Sequence, residues 1–257
     1  MKIARLPFEN GNDVYVVMHN LAIHEARFRK FRPIHVLTHV GQFHKAVTNR
    51  EETFLLGLAL ENKLFAVAHY ATLLCEAITP LSVHLYEGHY IRDYEPTQKV
   101  VAVIEGYIGA IYSALEVVAL FNKSFDRALP QGFRRQTRKV EAFSLVKQDW
   151  LKHFFDIRSE LAHYNSPLPM VSQQKLILEF RNPSPLEMFK KGRYEIGFDA
   201  IISYAPSLFA MLDAWALQEL KNVDENAELN VVHEAGWKKP LKSKNVSVKS
   251  LLKELDV

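Results

Sequence analysis

Residues 98–125 read as one long helix, and no other feature limits the fold of this chain as strongly. Pro96-Thr97 stands at its start, apolar residues recur through it at helical spacing, and Leu129-Pro130-Gln131-Gly132 breaks the chain after it. Residues 100–121 approach the length of a membrane span, but Glu105 and Glu116 interrupt them. An acidic side chain inside a bilayer costs roughly 2.5 to 3.5 kcal/mol on insertion scales. The stretch is therefore expected to be a buried bundle helix, with no membrane involved. Residues 51–78 give a second long helical pattern, ended by Thr79-Pro80. With 48% hydrophobic residues in 257, the chain can build one large core or two smaller ones.

The remaining segments extend this reading. Asn12 or Asp13 can cap a helix whose apolar face is Val14, Val17, Met18, Leu21 and Phe28, stopping before Pro33. Residues 34–50 carry His35, His39 and His44 with no clear period, and residues 139–164 predict a fourth long helix. Two short runs rich in β-branched and aromatic residues, 175–180 and 194–198, then read as a small β-hairpin with a long loop. Helical spacing returns over residues 199–220, where Pro206 must kink the helix or postpone its start. The expected fold is a mostly α, up-and-down helical bundle with a small β-hairpin inserted between the fourth and fifth long helices. Residues 1–221 are expected to form one domain, with 1–50 an N-terminal extension and 51–221 the core. Residues 222–257 read as a basic tail, in which Lys238, Lys239, Lys242, Lys244, Lys249 and Lys253 gather around a short helix capped by Ser247.

Chemistry concentrates in Ile157-Arg158-Ser159-Glu160-Leu161-Ala162-His163-Tyr164-Asn165-Ser166. His163 is expected in the last turn of its helix, because Asn165, Ser166, Pro167 and Pro169 cannot continue one. The unpaired carbonyls and the negative end of the helix dipole favour a charged imidazole there, so this histidine is placed to take and return protons. Spacing alone is weak: among thirteen arginines and 11 histidines, Arg29/His35 and Arg32/His39 stand at similar distances. Pro33 separates both of those pairs, so only Arg158/His163 rides one helix. The plain alternative is a solvated basic helix end.

Arg158-Ser-Glu-Leu-Ala-His163 resembles the Arg-x(4 to 6)-His signature of HEPN domains, an all-α nucleotide-binding superfamily, and the helix carrying Tyr112-Ser113-Ala114-Leu115-Glu116 is similar to the one that pairs with the motif helix there. The resemblance covers roughly residues 50 to 221. Many members are metal-independent endoribonucleases of toxin–antitoxin, phage-defence and RNA-processing systems, and others are noncatalytic. The resemblance implies Arg158 and His163 as the active pair, two motifs meeting across a homodimer, and an antitoxin or other protein partner. Ser159 departs from the Asn, Asp or His common after the arginine.

Such a site needs no metal. The 2′-hydroxyl of RNA attacks the adjacent phosphate, His163 removes its proton, and the planar fork of Arg158 holds two phosphate oxygens. Positions five apart on an ideal helix differ by about 140°, so fraying of the last turn or a second subunit must bring the pair together. Glu105, Tyr112 and Glu116 share one helical stripe, and with Ser159 they are candidate supporting groups, or else the face that meets water. Arg134, Arg135, Arg138 and Lys139 form the densest basic segment of the core and, with Phe133, are the candidate RNA-binding residues, expected at the start of the motif helix. A solvated connector is the alternative. Asp156 and Glu160 read as surface residues.

A histidine metal site from His35, His39 and His44 lacks nearby carboxylates, and no cofactor is expected. Phosphate-binding, dinucleotide-binding and nucleophile-elbow glycine motifs are absent from the sequence. The net charge of +3 neither demands nor opposes a phosphate-bearing partner. Cys75, the only cysteine, excludes an internal disulfide and a thiolate metal cage. Together with the lack of a signal-like apolar run in residues 1–10, it predicts a cytoplasmic protein.

Overall fold

The computed structural model describes residues 32–43, 50–78, 94–163, 166–172, 175–223, 228–233, 242–247, 249–250 and 253. The expected helix capped by Asn12 or Asp13, with its apolar face from Val14 to Phe28, lies outside them. The described chain is mostly helical with two small antiparallel sheets. Its helices are α1 (Pro33–Phe43), α2 (Arg50–Ile78), α3 (Tyr94–Phe125), α4 (Phe133–Gln136), α5 (Asp149–His163), α6 (Phe198–Ile202) and α7 (Tyr204–Leu220). The strands are β1 (Leu168–Ser172), β2 (Lys175–Phe180), β3 (Tyr194–Gly197), β4 (Glu228–His233) and β5 (Lys242–Ser247). These elements fall into two compact units, one drawing on Phe65–Ser113 and Gln148–Leu208, the other on Ala26–Leu64, Ala114–Lys147 and Phe209–Val257.

The first unit is built around aromatic and branched side chains. Ile104, Tyr107 and Ile111 of α3, Leu151, Phe154 and Ile157 of α5, and Tyr204 and Leu208 of α7 are buried together with Leu178 of β2. Gly106 permits a close approach: a Cβ there would overlap the ring of Tyr70. The Tyr107 hydroxyl donates to the Ile202 carbonyl (3.0 Å) and accepts from the Ala205 N–H (2.8 Å), joining the end of α6 to the start of α7. Pro206 occupies the third position of α7, where a missing N–H costs nothing, so the expected long helix is split at Ser203 and its second part starts at Tyr204.

The expected hairpin is a three-stranded antiparallel sheet in the order β1-β2-β3. In its register Met170 faces Ile177 and Pro169 faces Leu178, while Ile177 faces Gly197 and Phe180 faces Tyr194. Pro169 fits because β1 is an edge strand, where a residue without an N–H is tolerated. Glu179 is buried, and its carboxylate receives Arg181 Nε (2.9 Å) and Arg193 Nε (3.0 Å). Gly192, at φ +75°, supplies the left-handed residue of the turn before β3.

The second unit packs Trp215 of α7 against Phe121 of α3 and against Phe143. Helix α1 covers residues in which no period was apparent, and its origin is local: Pro33 takes the first helical position, which suits its fixed φ. Asp213 accepts from Arg32 Nε (2.9 Å), while the Arg32 guanidinium lies 4.7 Å from the Phe209 ring centroid. His35 Nδ1 lies 2.7 Å from Glu61, which also accepts from Thr38. Gln136, fully buried, donates to the carbonyls of Ala119 (2.7 Å) and Pro130 (3.0 Å) and accepts from Asn122 (3.1 Å). Within the expected tail, β4 and β5 pair antiparallel, with Val231 facing Lys244, and β4 lies against α1. The Ser250 N–H donates to Ser247 Oγ (3.2 Å), as the expected cap requires.

Candidate functional site

Helix α5 begins at Asp149 rather than near residue 139. Between α4 and α5 the chain makes a 3-10 turn at Glu141–Phe143, and Leu145 and Val146 that follow are 37% and 89% exposed, so they belong to no buried helical face. Asp149 in the first turn and His163 in the last both complement the helix dipole. The apolar side of α5 is Leu151, Phe154, Phe155 and Ile157. Glu160 is fully buried as well, which corrects its assignment to the surface.

Arg158 is half-buried, with its guanidinium carbon 4.3 Å from the centroid of the Tyr112 ring. A cation over an aromatic face contributes about 0.5 to 2 kcal/mol depending on its exposure, and here it directs the side chain toward a cleft of about 300 Å³. Glu105, Ile108, Gly109 and Tyr112 line the cleft from α3, and Arg158, Leu161 and Ala162 from α5. The α3 residues stand at spacings of three, four and seven and the α5 residues at three and four, so each set is one face of its helix. Nothing lies within 4 Å of where a Gly109 Cβ would be, so that side of the cleft is open.

Of the residues singled out in the sequence, Arg158 and Tyr112 meet in this cleft, and Glu105 joins them. His163 is exposed and is not among the lining residues. Helix α5 is continuous through both Arg158 and His163, so fraying does not unite them, and about 140° of helical rotation separates them. Ser159 is half-buried beside Arg158 on the chain and outside the lining. Glu116 lies further along α3, with its Oε2 3.6 Å from where a Gly132 Cβ would be. Arg134, Arg135, Arg138 and Lys139 are exposed on α4 and the turn after it, and they do not open the motif helix. Phe133 offers no ring to a base: it is buried, 5.0 Å from Phe143 between centroids. His35 has the carboxylate of Glu61 beside it, contrary to the expectation that none was near, and His44 lies outside the described residues. Among the described residues no group of three His, Cys, Asp or Glu side chains is gathered for a metal.

Sequence reasoning missed a second polar cluster on α5. The Tyr204 hydroxyl lies 2.6 Å from His153 Nδ1, and the Tyr194 hydroxyl 3.0 Å from His153 Nε2. A neutral imidazole donates from one nitrogen and accepts at the other, so both phenols are satisfied. Burial pushes the histidine below its ordinary pKa of 6.5, against the pull of Asp156 in the other direction. Burial likewise raises both phenols above their ordinary value. No sequence spacing signals this cluster, because its members are 41 and 51 residues from His153.

No protein-family model, curated protein or solved structure matches the chain. Two stretches, Glu95–Phe125 and Phe198–Leu220, are long and apolar enough to cross a membrane by length and composition, and 50% and 56% of their most apolar windows are buried within the protein.

Proposed function

We propose that the chain is a HEPN-like, metal-independent endoribonuclease acting in the cytoplasm as a homodimer, with each copy an up-and-down helical bundle carrying its β-hairpin between the fourth and fifth long helices. The observation that carries this reading is the Arg158 guanidinium, held on Tyr112 at the edge of an open cleft. Arginine stays charged and binds two phosphate oxygens at once, so a cleft with this cation and an apolar floor of Ile108, Leu161 and Ala162 suits a ribonucleotide phosphate with its sugar or base beside it. His163 of a second copy acts as the base. It takes the proton of the 2′-hydroxyl, the 2′-oxygen bonds to phosphorus, and the bond to the 5′-oxygen breaks, leaving a 2′,3′-cyclic phosphate and, after proton return, a 5′-hydroxyl. Arg158 neutralises the charge that builds on the phosphorane oxygens. Arg134, Arg135, Arg138 and Lys139 are the RNA-binding residues of this reading, offering exposed cations to backbone phosphates. An antitoxin-type protein is the partner expected in a toxin or defence setting.

Because His163 lies outside the cleft of its own chain, one observation also favours a second reading, a noncatalytic module that holds a nucleotide, an RNA end or a protein partner through Arg158. Incubation of wild type, Arg158→Ala and His163→Ala with total RNA in EDTA separates the two. Cyclic phosphate ends produced by wild type alone support cleavage. Binding that depends on Arg158, with intact RNA in every lane, supports the module.

A further inference from the structure

Three of the five large apolar side chains exposed among the described residues stand on α2: Leu55 at 57%, Leu58 at 41% and Phe65 at 56%. With Glu51, Asn62 and His69, also exposed, they recur at spacings of four, three, four, three and four. At about 100° per residue these six positions stay within an arc of about 80°. The stripe is thus an a/d seam about 27 Å long at 1.5 Å per residue. It lies on one uninterrupted helix, so its geometry is that of α2 alone. Residues at the opposite positions, Thr53, Leu60, Leu64, Val67 and Leu74, are buried. The Phe65 and His69 rings stack with 4° between their planes, giving the seam an ordered aromatic step.

The geometry points to a second copy of this chain as the occupant: the α2 seams of two copies pair antiparallel, with Leu55 of each against Phe65 of the other, Leu58 against Asn62, and Glu51 against His69. Charge and side-chain size select this arrangement. A parallel pair in register would join the two Asn62 amides, but it would set Glu51 against Glu51 and align the two helix dipoles, both repulsive. It would also stack Phe65 on Phe65 one layer from the much smaller Asn62 pair, so the helices could not keep a constant separation. The antiparallel register opposes the dipoles, places Glu51 beside the imidazole of His69 at both ends, and sets the largest side chain of each layer against a smaller one. Asn62 then lies along Leu58 with its amide at the wet edge of the seam, and as a single polar residue in an apolar row it fixes the register at some cost in stability. Every contact of one copy is repeated by the other across the two-fold axis, as a self-complementary interface requires. That two copies associate rests on the proposed function, whereas the seam that joins them rests on α2 alone: a monomeric wild type would overturn both, and a dimer that survives Phe65→Glu would overturn the seam and leave RNA cleavage standing.

The test uses the full-length chain and needs no RNA. Sedimentation velocity at tens of micromolar should give twice the chain mass for wild type and the single-chain mass for Phe65→Glu and Leu55→Glu, with the helical circular dichroism of wild type in each. The exposure of both positions makes a folding defect an unnecessary cost of these changes. Under mild oxidation the double variant Leu55→Cys/Phe65→Cys should become a disulfide-linked dimer, while each single variant should give at least tenfold less. The native Cys75 is inert in this experiment, because burial pushes its thiol up to about 12. A monomeric wild type, a dimer that survives Phe65→Glu, or efficient linkage by Phe65→Cys alone would overturn the proposal.

Discussion

Two faces of helix α5 carry polar side chains, and they differ in what has been done with their hydrogen bonds. His153 is wedged between two phenols, each within hydrogen-bond distance of one ring nitrogen, and burial holds the imidazole neutral. Arg158 rests on a single aromatic face and borders open space. A group whose donors and acceptors are all satisfied inside the protein contributes to folding, because removing it orphans its partners. One held in place but left facing a cleft has capacity for a ligand. The residue whose titration burial shifts is thus the structural one here, and the site candidate is the guanidinium that borders open space.

The sharpest way to break this contrast is to remove both groups in turn. His153→Leu should cost about 2 to 4 kcal/mol in urea unfolding, since it strands the buried Tyr204 hydroxyl as well as losing two hydrogen bonds. Arg158→Ala should cost about 1 kcal/mol or less. Equal losses would erase the distinction. Acid provides the next effect. The folded-state pKa of His153 lies below its ordinary 6.5, so the unfolded chain takes up the proton first. The contribution of His153 is therefore fully present above about pH 6.5 and is lost as pH falls through the folded value. The fall in urea midpoint between pH 7.5 and pH 5 should be smaller in His153→Leu than in wild type.

A parallel contrast lies on α3, where Gly106 and Gly109 are one turn apart. Gly106→Ala should destabilise by about 1 to 3 kcal/mol because the new methyl meets the Tyr70 ring. Gly109→Ala should stabilise by about 0.5 to 1 kcal/mol, since its methyl meets nothing and the helix gains the better residue. Thermal midpoints moving the same way would remove the cleft from that side of α3. The smallest effect is expected from Tyr112→Leu, which keeps the bulk but removes the aromatic face. RNA affinity should fall about two- to fivefold, as loss of a cation–π contact of about 0.5 to 1 kcal/mol implies, while stability changes little.

The two longest helices were legible because their apolar periods run for many turns, although α3 starts at Tyr94, before Pro96, since proline is tolerated in a first turn. Where segments were short, the apolar pattern misled. Leu145 and Val146 looked continuous with α5 yet face outward, and Pro169 hid an edge strand. In the expected tail, Lys242 and Lys244 drew attention to charge rather than to the pairing of β5 with β4. The candidate site was partly readable: Arg158 and Tyr112 stood out by residue type, and Glu105 by its place on the same stripe. The contributions of Gly109, Leu161 and Ala162 depend on which faces of α3 and α5 border the same space, and small apolar residues give no signal of that. The His153 cluster was invisible for the same reason, being made entirely of contacts between distant segments.

The most direct measurement is complementation of the two motif variants in RNA cleavage. Arg158→Ala and His163→Ala, each inactive alone, should recover about a quarter of wild-type activity when mixed in equal amounts and allowed to exchange, because half of the dimers are then mixed and each of these holds one intact composite site of two. A mixture as inactive as either variant alone, with exchange verified, would contradict a site assembled from two copies, and so would cleavage retained by Arg158→Ala.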